Sequence, residues 1–164
     1  MTVKMTELEF EEKYQIYSQT IFNIAYGYTK NVQDSEDIVQ NVFVKLILNQ
    51  KVFKTSNDEK YWLVRVCINE CINFVKSTHK KKIVLNDEIV LSSPNHQEES
   101  SGEITYYVSL LPEKYKIPII LYYYDNFKVN EISEYLGISE AAVRKRLERA
   151  RDIIKEKMEA KNGK

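Results

Sequence analysis

Residues 129–151, which read VNEISEYLGISEAAVRKRLERAR, predict two short helices joined by a tight turn. Gly137 lies between the helices, where the turn can require a positive φ that glycine adopts at little cost. Ser139 is a good N-cap for the second helix, and the small Ser133 stands where the two helices would cross. This layout is typical of a helix-turn-helix.

The second helix of this motif is predicted to have one buried face and one exposed basic face. At helical spacing, the buried stripe comprises Val143, Leu147, Ala150 and Ile154. The outward face carries Arg144, Lys145, Glu148 and Arg149. A helix fits the DNA major groove, where Arg pairs with guanine, Glu accepts from cytosine and other cations neutralise phosphates. The pattern therefore favours DNA binding, and the alternative is a plain helix pair with a basic surface.

Upstream of the motif, apolar residues at steps of three and four predict three longer helices. These helices span about residues 6–30, 34–50 and 59–80. Thr6 followed by Glu9 has the spacing of a capping box for the first helix. Asp34 is the predicted N-cap of the second helix, and Ser56 or Asn57 is that of the third.

Residues 83–105 lack helical periodicity and are rich in Ser, Asn, Glu and Asp, which predicts a flexible acidic linker. Four helices are predicted after residue 103, over about residues 104–110, 112–124, 129–136 and 140–159. Pro118 should produce a kink or a late helix start, because proline has no amide hydrogen. The sequence therefore predicts an all-α fold with two small helical domains, residues 1–82 and 106–164, the second containing the helix-turn-helix.

The composition excludes several classes of protein. The 164 residues are 43% hydrophobic and 29% charged, so the chain can bury a core. Four Gly and three Pro leave little material for the turns of a β-sandwich or barrel. No apolar run is long enough to span a membrane, and the acidic N-terminal residues do not fit a secretory signal. We therefore expect a cytoplasmic protein without membrane insertion.

Charge is segregated along the chain, although the formal net charge is zero. Residues 76–82 contain four Lys and no acid, and basic residues predominate again in 141–157. Residues 86–105 contain acids and neither Lys nor Arg. Two basic patches suit a protein that touches a polyanion at two places, and solvated helix faces are the alternative interpretation.

Nothing in the sequence predicts an enzyme, a metal site or a cofactor. Glycine-rich phosphate loops, HExxH and a supported Ser-His-Asp pattern are absent. Cys67 and Cys71 share a helix face, but neither His79 nor His96 stands at zinc-ligand spacing from them. We therefore interpret the two cysteines as small core residues.

Three segments, in order, resemble those of bacterial RNA polymerase sigma factors of the extracytoplasmic-function class in the sigma-70 family. Residues 31–47, NVQDSEDIVQNVFVKLI, resemble the helix with which the family binds core polymerase. Residues 61–82, YWLVRVCINECINFVKSTHKKK, resemble the stretch that reads and melts the downstream promoter element. Residues 111–151, which begin with LPEKY, resemble the domain that binds the upstream element. The resemblance implies a factor that binds core polymerase and directs promoter-specific transcription initiation.

The resemblance also implies roles for individual residues. The clamp helices of the polymerase's largest subunit would be contacted by Asp37, Gln40, Asn41 and Lys45, with Asn41 standing where the family often has Glu. The downstream promoter element would be contacted by Asn69, Asn73, Lys76, Lys80, Lys81 and Lys82. The upstream element would be contacted by Arg144, Lys145, Glu148 and Arg149. Residues 53–58 match a loop that captures a flipped base, and the neighbouring Trp62 is interpreted first as a core residue.

Two other functions stay open from the residues alone. A stand-alone helix-turn-helix regulator would bind operator DNA as a two-fold dimer and without polymerase. A helical adaptor would use its basic faces to bind acidic proteins. For the sigma factor, the resemblance implies a further partner, an anti-sigma factor that covers the polymerase-binding faces.

Overall fold

The computed structural model describes residues 5–49, 52–85 and 100–162, with side chains described except at 79–85 and 100–102. These residues form seven α-helices and one π-helical segment, and no β-strand occurs among them. In chain order the elements are α1 Glu7–Thr29, α2 Val32–Leu48, α3 Ser56–Leu85, α4 Ser100–Ser109, α5 Glu113–Ile119, the π-helical segment Ile120–Tyr124, α6 Val129–Leu136 and α7 Glu140–Asn162. The predicted all-α class is confirmed.

The chain divides into two compact units, Met1–Ser93 and Pro94–Lys164. Helices α1–α3 belong to the first unit, and α4–α7 belong to the second. Each unit has its own apolar core. Fully buried side chains of the first unit include Ile21, Ile24, Val42, Leu46, Leu63 and Val64. Those of the second unit include Val108, Ile120, Leu121, Ile132 and Val143.

The helices extend further into the predicted linker than the sequence analysis indicated. Residues 83–85 complete α3, and residues 100–105 belong to α4. The sequence has no helix-breaking residue at 83–85, so α3 continues. Gly102 is inside α4 despite its low helix propensity, which is why the predicted helix began too late. Residues 86–99, the rest of the predicted linker, lie outside the described residues.

The first two helices begin with side-chain caps. The capping box predicted for α1 is confirmed, because Thr6 Oγ1 accepts from the Glu9 N–H at 3.1 Å and the Glu9 carboxylate accepts from the Thr6 N–H at 2.9 Å. For α2 the predicted cap is wrong. Asn31 Oδ1 accepts from the Asp34 N–H at 2.7 Å, so Asn31 caps the helix and Asp34 lies in its first turn.

The third helix also begins earlier than predicted. Thr55 Oγ1 accepts from the Asp58 N–H at 3.0 Å, as an N-cap side chain does. Ser56 and Asn57, the two predicted caps, are therefore helical residues of α3. Several adjacent residues of this segment have side chains that can cap, and residue type alone does not choose among them.

Pro118 lies inside α5, which starts at Glu113, so the predicted late start is wrong. Proline has no N–H for the carbonyl of Lys114, and its ring crowds that carbonyl. The winding changes from α to π at Ile120, two residues after the proline. The disturbance expected at Pro118 thus takes the form of a wider helical segment in this part of the chain.

The helix-turn-helix has the predicted geometry. Gly137 has a φ of 71° and donates its N–H to the Ser133 carbonyl at 2.8 Å, which ends α6. Ser133 Oγ donates to the Ile138 carbonyl at 2.5 Å, across the turn. Ser139 Oγ accepts from the Ala142 N–H at 3.0 Å and caps α7. Local hydrogen bonds therefore fix the angle at which α7 leaves α6.

Gly137→Ala should lower the free energy of unfolding of the second unit by about 1–2 kcal/mol, because alanine is strained at positive φ. No atom beyond Gly137 and its chain neighbours lies within 4 Å of an added Cβ, so the effect is conformational and Gly137→Asn should lower the free energy of unfolding less. Urea unfolding followed by circular dichroism measures the change. Trp62, the only tryptophan, lies in the first unit, and its fluorescence transition should not move. An alanine variant as stable as the wild type would contradict the strain argument.

Candidate functional site

Helix α7 presents the predicted DNA-contacting residues on the side away from its core. Val143, Leu147 and Ala150 are buried, with exposed fractions of 0, 3 and 0%. Ile154, the last residue of the predicted stripe, is half-buried. The opposite side carries four exposed residues, which we call the recognition face: Arg144, Lys145, Glu148 and Arg149. The structure therefore brings all four predicted residues together on one mainly basic surface.

The two arginines of the recognition face make ion pairs along the helix. Arg144 Nη2 lies 3.3 Å from Glu140 Oε1, and Arg149 Nη1 lies 3.9 Å from Glu156 Oε2. At least half of each of these side chains is exposed, so each pair contributes at most about 1 kcal/mol. Both arginines can therefore exchange a carboxylate for a phosphate or a base edge.

Helix α3 carries a row of exposed polar side chains. We call it the α3 polar row, and it comprises Arg65, Asn69, Asn73 and Lys76. Spacings of four, four and three residues align these side chains along one face of the helix. Lys80, Lys81 and Lys82 belong to the same helix, and their side chains lie outside the described residues.

Helix α2 is buried on one side and exposed on the other. Ile38, Val42 and Leu46 are buried, with exposed fractions of 3, 0 and 1%. The exposed side, which we call the α2 outer face, comprises Asp37, Gln40, Asn41, Val44, Ile47 and Leu48. Its three apolar residues, exposed at 51, 51 and 70%, were missed by the sequence analysis. The sequence signal that could have revealed them is that α2 contains more apolar residues than one buried helical stripe can accommodate.

Lys45 differs from the other residues predicted to bind polymerase, because it has a partner within its own unit. Its Nζ lies 2.5 Å from Glu70 Oε2 on α3, and the Glu70 side chain is only 16% exposed. The ion pair joins α2 to α3 and holds Lys45 beside the α2 outer face. Lys45 is therefore engaged in the fold, while Asp37, Gln40 and Asn41 extend into solvent.

The start of α2 concentrates negative charge. Asp34 lies in the first turn of the helix, where the helix dipole favours carboxylates, and Asp37 lies three residues further along. Burial raises the pKa of the Asp34 carboxyl, and the neighbouring Asp37 carboxylate raises that pKa further. Asp37 is the exposed member of the two, so the α2 outer face is negative at this end.

The segment around the start of α3 has a packed base and an exposed polar tip. Phe53 is half-buried, and its ring centroid lies 5.6 Å from that of Trp62 on α3. Trp62 is itself half-buried and is not among the buried residues of the core, so the core interpretation is only partly met. The tip is fully polar, and we call it the 54–58 tip: Lys54, Thr55, Ser56, Asn57 and Asp58, all exposed.

The two cysteines belong to the core, as predicted. Cys67 and Cys71 are fully buried free thiols, and Cys67 Sγ donates to the Ile21 carbonyl at 3.6 Å. Among the described residues, no group of three or more His, Cys, Asp or Glu side chains could hold a metal ion. No helix in the described part of the chain combines the length and apolarity needed to cross a membrane.

Family matches follow the order that the sequence analysis expected. Sigma-70 region 2 matches residues 14–81, which contain the α2 outer face, the 54–58 tip and the α3 polar row. Sigma-70 region 4 matches residues 101–154, which contain the recognition face. The two matches cover most of the chain and separate the four surfaces in the same way as the two compact units do.

Individual relatives match along nearly the whole length. The ECF RNA polymerase sigma factor SigM of Bacillus subtilis is 30% identical over 155 residues, which cover 90% of this chain and 94% of SigM. The RNA polymerase sigma factor SigV of the same bacterium is 28% identical over 141 residues, which cover 85% of this chain and 84% of SigV.

Solved structures share the fold. The sigma factor RpoE, in a co-crystal structure with the anti-sigma factor NepR from Bartonella quintana, has a TM-score of 0.66 at 18% identity, covering 95% of this chain and 99% of RpoE. CnrH, in complex with the cytosolic domain of CnrY, has a TM-score of 0.70 at 18% identity, covering 94% of this chain and 90% of CnrH. The family matches and the similarity to SigM establish that the chain belongs to the extracytoplasmic-function class of RNA polymerase sigma factors and directs transcription initiation.

Proposed function

We propose that the two units of this sigma factor divide its work. The first unit binds core RNA polymerase and the melted downstream promoter element, and the second unit binds the upstream element as a duplex. The observation that carries the proposal is the recognition face. One side of α7 is buried in the helix-turn-helix, and the other side presents four charged side chains. DNA is the partner that matches this arrangement of charge and shape.

The recognition face supplies both base readout and phosphate binding. From residue 144 to residue 149 it covers about 7.5 Å of helix, enough to span a few base-pair edges in the major groove. Arg144 and Arg149 can donate two hydrogen bonds each to guanine, and Glu148 can accept from cytosine. Lys145 is a single flexible cation and suits a phosphate.

The α2 outer face is the proposed contact with core polymerase, at the clamp helices of the largest subunit. Exposed apolar side chains next to polar ones are typical of a protein–protein interface, whereas DNA-binding faces are basic. Val44, Ile47 and Leu48 supply apolar area, and Gln40 and Asn41 supply hydrogen bonds that fix the register. Lys45 contributes indirectly, through its ion pair with Glu70.

The α3 polar row and the 54–58 tip are the proposed contacts with the melted downstream element. Asn69 and Asn73 can hydrogen-bond to unpaired bases, and Lys76 lies beside the lysines at 80–82 on the same helix. The exposed polar groups of the 54–58 tip can bind the edge of a base that has left the stack. This division explains why two basic regions lie in different units.

Neither alternative accounts for both units. A dimeric regulator that binds an operator needs the recognition face and a two-fold interface, and it has no role for the α3 polar row. An adaptor for acidic proteins has no role for a helix-turn-helix. A single promoter-bound sigma factor uses all four surfaces at once.

Three further properties follow from this role. The protein acts in the cytoplasm, where polymerase and promoter DNA are, and it works by binding and not as an enzyme. It needs no cofactor for this activity.

We also propose an anti-sigma factor as a partner, since the two similar structures are complexes of RpoE with NepR and of CnrH with the cytosolic domain of CnrY. Such a partner would cover the α2 outer face.

Arg144→Ala and Lys145→Ala should weaken promoter binding by the holoenzyme and leave core affinity unchanged. The arginine variant should lose about 1–3 kcal/mol, roughly 5- to 150-fold in affinity, because it removes a base contact. The lysine variant should lose less. The measurement is a gel shift on promoters that the wild-type holoenzyme selects from a random library. Lys155→Ala, an exposed lysine of α7 outside the recognition face, is the matched control. Parallel losses of promoter and core binding would refute the division between units.

Gln40→Ala should weaken binding to core polymerase, by about 1 kcal/mol or roughly fivefold, and leave the fold intact. The reason is the loss of hydrogen bonds at an interface that excludes water. Fluorescence anisotropy of the labelled chain against core polymerase measures the affinity. Gln15→Ala on α1, an exposed glutamine outside the α2 outer face, serves as the control. Unchanged core affinity of a folded Gln40 variant would remove this face from the proposed interface.

A further inference from the structure

A polar cluster, buried at Tyr17 and Glu59 and half-buried at Lys13, connects the middle of α1 to the first turn of α3. Glu59 forms an ion pair with Lys13, and the Glu59 side chain is only 10% exposed. Tyr17 Oη donates to Glu59 Oε1 at 3.2 Å and lies 3.5 Å from the Ser56 carbonyl oxygen. Lys13 and Tyr17 are one helical turn apart on α1, so both reach the same carboxylate. We call these three side chains the Glu59 cluster.

Each member of the Glu59 cluster is satisfied. The carboxylate lies in the first turn of α3, where the helix dipole favours negative charge. Burial, the Glu59 charge and the hydrogen bond to Glu59 raise the pKa of Tyr17 to about 12, so the hydroxyl stays protonated and donates at neutral pH. The cluster therefore has one fixed arrangement of donors around one acceptor group.

Stability alone does not explain such a cluster. A buried ion pair often contributes no more than well-packed apolar residues of the same size, because both charges lose their hydration. Directional hydrogen bonds hold their partners in one relative position, which apolar contacts do less strictly. The Glu59 cluster therefore fixes the position of the first turn of α3 relative to α1.

The first turn of α3 is part of the 54–58 tip. Thr55 caps the helix through the Asp58 N–H, and Ser56, whose carbonyl lies next to the Tyr17 hydroxyl, is its first residue. On the other side, Phe53 packs against Trp62, one turn beyond Glu59. The tip is thus exposed at its side chains and held at its base by the cluster and by one aromatic contact.

We propose that Glu59 is a positioning residue for promoter melting, which holds the 54–58 tip in the orientation that captures an unstacked base. The inference rests on the proposed function of that tip. Glu59 itself lies beneath the tip and does not touch DNA. Its effect on DNA binding should therefore depend on whether a base is present for the tip to bind.

An abasic scan in combination with Glu59→Gln tests this dependence. The probe is a promoter selected by the wild-type holoenzyme, with the downstream element premelted by mismatches and one non-template base removed at a time. For the wild type, removal of one particular base should weaken open-complex binding by about tenfold, since stacking and edge contacts to that base are lost. With Glu59→Gln the intact promoter should bind about as weakly as the abasic one, and base removal should change affinity by less than about twofold.

Two further variants separate positioning from damage to the fold. Tyr17→Phe removes one hydrogen bond of the Glu59 cluster and keeps the ion pair, so it should reduce the abasic penalty by an intermediate amount. Glu12→Gln is the control, an exposed carboxylate of α1 outside the Glu59 cluster and the four named surfaces, and it should keep the full penalty. Core affinity and circular dichroism show that each variant is folded.

The possible results distinguish the two proposals. A full abasic penalty in folded Glu59→Gln and Tyr17→Phe variants would overturn the positioning role and leave the proposed function of the tip standing. A wild-type holoenzyme that shows no penalty at any position would refute base capture by the tip, and the role of Glu59 would be refuted with it. A penalty that is lost in Glu59→Gln, reduced in Tyr17→Phe and kept in Glu12→Gln supports both.

Discussion

The functional surfaces of this molecule depend on the orientation of each helix about its own axis, which decides which face is buried and which is exposed. No single helix can bury its apolar stripe alone, and the first unit solves this by packing Ile24 of α1, Val42 of α2 and Leu63 of α3 into one core. A shift of one residue along a helix turns its outer face by about 100°. The α2 outer face and the α3 polar row therefore point outward only because their inner faces are packed.

In the second unit the orientation of α7 is set in the same way, and hydrogen bonds within the turn between α6 and α7 fix it further. The buried side chains of Val143 and Leu147 pack α7 against its neighbours, and the hydrogen bonds around Gly137 and Ser139 set the direction of α7. These turn signals lie within the sequence segment itself. For that reason α6 has the predicted bounds, and α7 begins at the predicted residue. All residues of the recognition face could be named from the pattern, since one buried stripe determines its opposite side.

Other features depend on contacts that the sequence pattern does not contain. The starts of α2 and α3 were misplaced because neighbouring residues have equal capping chemistry, and the backbone selects Asn31 and Thr55. The pairing of Lys45 with Glu70 joins residues on different helices, so no local rule predicts it. The sequence predicts only that the third helix starts at about residue 59, and it is the packing against α1 that brings Lys13 and Tyr17 to Glu59. Contacts between residues that are distant in the sequence could therefore be found only from the tertiary structure.

The central claim is that one copy of this chain joins polymerase to promoter DNA through separate surfaces. Native mass spectrometry of the chain with a selected promoter, with and without core polymerase, tests it most directly. We expect a complex of one chain, one core enzyme and one promoter, and little binding of DNA when the core enzyme is left out. Two copies of the chain on an inverted repeat, bound as tightly without polymerase, would contradict it.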